Sequence, residues 1–72
     1  MPKQLNYCDK GTYIIDSVLL NNIRILEAGF VKDKRIFVIS NNILGIRLRL
    51  GNVVYFLNKI IASQIFVIAK ED

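Results

Sequence analysis

Histidine is absent from the chain. That removes the commonest general base and the commonest transition-metal ligand together. Cysteine occurs once, at Cys8, which excludes an internal disulfide and a cysteine-built metal cluster. Long hydrophobic runs are missing too. The longest apolar-rich stretch, Ile60 to Ala69, is broken by Ser63 and Gln64, and a membrane-spanning helix needs ~20 residues. No signal-peptide pattern opens the chain, because Met1-Pro2-Lys3-Gln4 leads into polar sequence. A soluble, cytoplasmic protein is the expectation that follows.

Catalytic machinery is equally sparse. The acids Asp9, Asp16, Glu27, Asp33, Glu71 and Asp72 are scattered, mostly through turns and tails, with no spacing that pairs two of them for acid–base work. Ser17, Ser40 and Ser63 fall in strands or at their ends without a nucleophile-elbow pattern. Cys8 lies in a segment that reads as flexible, with no base to activate it. Carboxylate oxygens could hold Fe²⁺ or Mg²⁺, but these acids form no ligand set, and no phosphate-binding loop is present. The chain is expected to be no enzyme and to carry no cofactor or metal.

What is present is apolar residues. They make up 53% of the 72 residues, against 22% charged, which suits one folded domain over residues 1–72 rather than a disordered segment. So small a chain can barely cover that much apolar material, so an exposed apolar patch, and a partner for it, is expected. The net charge of +4 permits a nucleic acid or an anionic surface without demanding one.

The pattern along the chain is mostly strand. Gln4 to Tyr7 suits one helical turn that lays Leu5 on the core, and Asp9-Lys10-Gly11 is a turn. Thr12 to Leu20 is a first strand rich in β-branched and aromatic residues. Asp16 should face water, which would carry Ile14 and Val18 outward; a bulge at Asp16 or Ser17 brings Val18 back in. Asn21 or Asn22 can cap a short helix, with Ile23, Leu26 and Phe30 as its apolar stripe. Gly29 stops it, and Lys32-Asp33-Lys34 turns the chain. Further strands cover Arg35 to Ser40, Ile46 to Leu50, Val53 to Leu57 and Gln64 to Ile68. Asn41-Asn42 and Gly45 mark a loop, Gly51-Asn52 a two-residue hairpin turn, and Asn58 to Ala62 one helical turn. Lys70-Glu71-Asp72 is a solvated tail. Five short strands with one short helix between the first two must curl to protect their edges, which predicts a mainly β, partly open five-stranded barrel.

The segment Arg24-Ile25-Leu26-Glu27-Ala28-Gly29-Phe30-Val31-Lys32-Asp33 resembles the "R-L-L-x-L-G-hydrophobic-x-P-G" segment of the ferrous iron transport protein A (FeoA) family. Leu5 and Gly11 are similar to its opening pair, Gly45 to Leu57 to its glycine-bounded hairpin, and Ala62, Ile65 and Val67 to its closing strand. Lys32-Asp33 stands where the family has Pro-Gly, Asn58 where it often has Arg, and Ala28 where Leu is common. The resemblance implies an SH3-like β-barrel. It also implies a non-enzymatic accessory or regulatory role in bacterial ferrous iron uptake, by docking to the cytoplasmic GTP-binding domain of the ferrous iron permease.

Candidate contacts come from two sources. Arg24 and Phe30 belong to the family-like helix–turn segment. If Val53, Tyr55 and Leu57 face inward, Val54 and Phe56 face out. If Ile65 and Val67 face inward, Phe66 faces out. Ile60 and Ile61 stand where the family tends to be polar. An outward apolar surface of Val54, Phe56, Ile60, Ile61 and Phe66 is the expectation, with self-association a further use for it. Two alternatives stay open. Arg47 and Arg49 share an outward strand face near Lys32, Lys34, Arg35 and Lys59, which suits a small basic barrel that binds nucleic acid. Such a surface also needs stacking aromatics, and Tyr13, Phe37 and Tyr55 read as core. The other alternative is an SH3-like dimerisation or effector module like the C-terminal domains of iron-dependent repressors.

Overall fold

The computed structural model describes residues 1–19 and 21–70. Six strands make one antiparallel sheet: β1 (Lys3–Gln4), β2 (Gly11–Val18), β3 (Arg35–Asn42), β4 (Gly45–Leu50), β5 (Val53–Leu57) and β6 (Ile65–Ala69). Their order is β1-β6-β2-β3-β4-β5. The sheet curls around one core, with a 3₁₀ turn at Leu5–Tyr7 and two short helices, α1 (Ile23–Ala28) and α2 (Lys59–Ala62). The barrel has six strands rather than five. The extra one, β1, is two residues long and pairs Lys3 with Val67 and Gln4 with Phe66. A pairing so short and so distant in sequence leaves no periodic trace.

The bulge expected at Asp16 is present, because the β2–β6 register shifts between Ile15 and Ser17. It lets Ile15 and Val18 both reach the core from one strand. Leu20, the last residue of the expected first strand, lies outside the described residues, as do Glu71 and Asp72 of the tail.

The short helix is where the expected stripe fails. Ile25 is buried, whereas Ile23 is 68% exposed and Leu26 40% exposed. Six residues complete too few turns for spacing alone to fix which side faces in. The helix end settles it. Gly29 takes φ 106°, its N–H bonds to the Leu26 carbonyl, and the Phe30 N–H returns to the Ile25 carbonyl at 3.2 Å. That is the Schellman arrangement, which sets the residue after the glycine against the one five before it. Both Ile25 and Phe30 are buried.

The third strand also runs further than Ser40. It continues to Asn42, so Asn41 pairs with Ile46 inside the ladder. Only Ile43 and Leu44 remain as the turn, with the Asn42 side chain accepting from the Leu44 N–H at 2.9 Å. Cys8, expected in a flexible segment, is fully buried in the same core cluster as Leu5, Val38 and Val67. The 3₁₀ turn carries it inward, and its Sγ donates to the Gln4 carbonyl. The other helical turn forms as expected: Asn58 accepts from the Ile61 N–H at 2.8 Å and starts α2.

Candidate interaction surface

β5 is one edge of the sheet. Its register with β4 sets Val54 opposite Arg49 and Phe56 opposite Arg47. Directly opposed residues share a face, so the outward row of β5 lies beside the outward arginines of β4. All four are exposed. The row continues into β3, where Phe37 is paired with Arg49, and the Arg49 guanidinium sits 5.5 Å from the Phe37 ring centroid. Thr12, Arg35, Phe37, Arg49 and Gly51 line an open cleft of about 380 Å³. A neighbouring depression shares Arg35 and Gly51 and adds Lys34. Between Lys34 and Lys70 the chain contains no Asp or Glu, so every charged side chain that β3, β4 and β5 bring to this surface is cationic.

The expected contact residues separate into groups. Val54 and Phe56 are half-exposed neighbours on β5. Ile60 is 77% exposed on α2, whereas Ile61 turns partly inward and packs on the core. Phe66 is half-buried on β6, with three strands between it and β5 in the sheet order. Arg24 is exposed on the first turn of α1, where Asn22 accepts from its N–H at 2.9 Å. Phe30 is not available to a partner. It is fully buried and meets Tyr55 edge-on, with centroids 5.2 Å apart. The Schellman turn that follows α1 drives it inward, and its place among the candidate contacts is corrected to core.

Other exposed apolar residues escaped the sequence reading. Asn41 donates from Nδ2 to the carbonyls of Asn6 (3.0 Å) and Cys8 (2.9 Å). Lys59 Nζ donates to the Asn6 carbonyl at 3.2 Å and to Asn41 Oδ1. This polar knot draws together the 3₁₀ turn, the β3–β4 turn and α2. Asn6 Oδ1 is buried there without a hydrogen-bond partner among the described residues. Close to the knot's members along the chain come Tyr7, Ile43, Leu44 and Ile60, all strongly exposed. The ring of Phe56 lies over Gly45 at the same end. The available signal was Asn42-Ile43-Leu44-Gly45, two large apolar residues confined to a two-residue turn that must face outward.

Among the described residues, no group of three or more Cys, Asp or Glu side chains is placed to hold a metal ion, and no helix is long and apolar enough to cross a membrane. Burial pushes the Cys8 thiol above its ordinary pKa, with the Lys3 charge opposing the shift. Neither observation supplies a catalytic group.

The geometry is that of a small SH3-like barrel with an exposed, cationic and apolar edge. Solved structures of FeoA proteins have this fold. The chain superposes on an iron uptake regulatory protein, FeoA, with a TM-score of 0.83 at 21% identity, over 93% of this chain and 96% of that one. It superposes on a FeoA-like protein from Clostridium acetobutylicum with a TM-score of 0.81 at 20% identity, over 99% of this chain and 90% of that one. No protein-family model matches the chain, and no curated protein matches it. At these identities the likeness is one of fold, and it accounts for essentially the whole chain.

Proposed function

We propose that this protein is a non-enzymatic accessory of bacterial ferrous iron uptake, working on the cytoplasmic side of the membrane. It docks to the GTP-binding domain of the ferrous iron permease and biases nucleotide turnover or transporter assembly, without holding iron itself. The observation that carries the proposal is the FeoA fold over nearly the full chain. The exposed Phe56, held over Gly45 beside Arg47, supplies a contact of the required kind. Aromatic and arginine side chains are the groups that dominate protein–protein contacts.

The test pairs purified protein with the isolated GTP-binding domain of the permease from the same cell. Binding and GTP hydrolysis are measured for the wild type, Phe56→Asp and Phe66→Asp, each checked for folding. Binding that Phe56→Asp abolishes supports the proposal and places the contact at the β5 end. Loss only in Phe66→Asp keeps the partner but moves the contact to β6. Absence of any binding by folded wild type sinks the proposal. Recovery of nucleic acid from cells instead, released by salt, would favour the basic-barrel alternative.

A further inference from the structure

The two edges of the sheet are built differently. β1 is two residues long and carries Lys3, a short and charged edge of the kind that resists strand addition. β5 reads Val-Val-Tyr-Phe-Leu, five residues with no charge and no proline. Val53, Val54 and Phe56 are each more than half exposed. The Gly51-Asn52 turn makes Leu50 and Val53 the closing pair of the hairpin, and a two-residue turn closes on a hydrogen-bonded pair. By alternation, the backbone N–H and C=O groups of Val54 and Phe56 point away from β4 to the open edge. Gly51 at φ 62° holds that register.

We infer that β5 is a strand-addition site that takes an extended segment of another protein with alternating acidic and apolar side chains. Backbone pairing at Val54 and Phe56 supplies the docking. The two alternating sets of side chains supply the selectivity. On the inner face, apolar side chains of the added strand cover Val53 and Tyr55 at the barrel mouth. On the outer face, acidic side chains reach past Val54 toward Arg49 and past Phe56 toward Arg47. Two strand spacings, roughly 10 Å, separate the arginine backbones from the added strand, and an arginine and a glutamate side chain span that gap together.

A second copy of the chain is the poorer occupant. Pairing β5 with β5 would bring both copies' Arg47 and Arg49 to one joint sheet, and no carboxylate between Lys34 and Lys70 is there to offset them. Charge complementarity therefore selects a foreign acidic strand. The inference concerns the mode of recognition and stands whether or not the partner is a permease.

The test uses the intact chain and three short capped peptides. One alternates glutamate with valine, one alternates lysine with valine, and one is the glutamate–valine peptide N-methylated along the edge that would pair. Amide NMR and hydrogen exchange report on Val54 and Phe56. The glutamate–valine peptide should shift both amides and slow their exchange. It should bind about tenfold or more tightly than the lysine–valine peptide, with that advantage fading as salt rises. N-methylation should abolish binding by the wild-type chain, which needs no variant to fold. Val54→Pro removes one edge donor while leaving the β4 pairing intact, and should weaken binding similarly. Equal affinity for the glutamate and lysine peptides, or binding that leaves the Val54 and Phe56 amides unprotected, overturns the inference. So does a peptide-free dimer that Val54→Pro dissolves, because the edge would then belong to a second copy.

Discussion

The ring of Phe56 lies across the bare backbone of Gly45. A β-carbon at Gly45 would fall 2.8 Å from Phe56 Cζ and closer still to the Leu57 carbonyl oxygen. Gly45 also sits at φ 155°, where side chains are strained. Glycine at this position therefore does two things. It permits the β4 backbone geometry, and it leaves the shelf on which an exposed aromatic ring rests.

Gly45→Ala should destabilise the fold by about 2–4 kcal/mol, since the nearer clash is with backbone that cannot swing away. Gly51→Ala is the internal control. Gly51 has φ 62°, but nothing lies within 4 Å of its added β-carbon, so only conformational strain of about 1–2 kcal/mol applies. Urea unfolding of both variants checks the difference. Equal losses would show that the Phe56–Gly45 packing contributes nothing beyond backbone strain.

Phe30 and Phe56 should separate stability from docking. Phe30 is fully buried against Tyr55, so Phe30→Ala should cost about 3–5 kcal/mol. Phe56 is 55% exposed, so Phe56→Asp should cost about 1 kcal/mol while removing partner binding. Parallel denaturation and binding measurements decide it. A Phe56→Asp variant that unfolds as readily as Phe30→Ala would show that the ring belongs to the fold rather than to an interface.

The contrast between these two residues shows what the sequence could convey. Alternation in Ile46 to Leu50 marks Arg47 and Arg49 as outward without ambiguity, and the misplaced charge of Asp16 reveals a bulge, because period two has only two phases. A helix of six residues has no such certainty. Ile23, Ile25 and Leu26 are all apolar, and the choice of Ile25 is made by the Schellman turn acting with Phe30. Contiguity was hidden for another reason. Phe56 and Phe66 are each outward by local pattern, but the distance between them depends on β2, β3 and β4 lying between their strands. The pairing of Lys3 with Val67 likewise has no local signal.

Asn41 should matter more than its partial exposure suggests. Its amide serves two carbonyls, those of Asn6 and Cys8, and its oxygen accepts from Lys59. Asn41→Leu strands these groups and should cost about 2–4 kcal/mol. Lys59→Met keeps the packing stem and leaves both Asn41 donor bonds intact, so it should cost about 1 kcal/mol. Thermal unfolding of the two variants tests the order. The knot should also order the β3–β4 turn, so exchange at Leu44 should quicken in Asn41→Leu. Unchanged exchange there would mean that the Asn42 side chain, accepting from the Leu44 N–H, holds the turn by itself.

Cys8 and Tyr13 make stability fall at alkaline pH. Burial raises the pKa of Cys8 from its ordinary 9.0 and of Tyr13 from its ordinary 10.0, burial being the main cause in both. Each group is neutral when protonated, so the folded state keeps protons that the unfolded chain releases. The stabilising contribution is then complete below pH 9 and is lost as pH rises through the folded-state values. Stability should be level with respect to these groups up to about pH 9 and decline beyond it, first through Cys8 and then through Tyr13. Cys8→Ala removes the first step, so its stability curve should stay flatter between pH 9 and 10 than that of the wild type. The thiol should also resist modification in the folded protein, reacting only as fast as the chain opens. Denaturant midpoints taken across pH 8 to 10.5 for both proteins decide the matter. The same slope with and without the thiol would mean that Cys8 titrates alike in the folded and unfolded chains, and that its burial does not govern its chemistry.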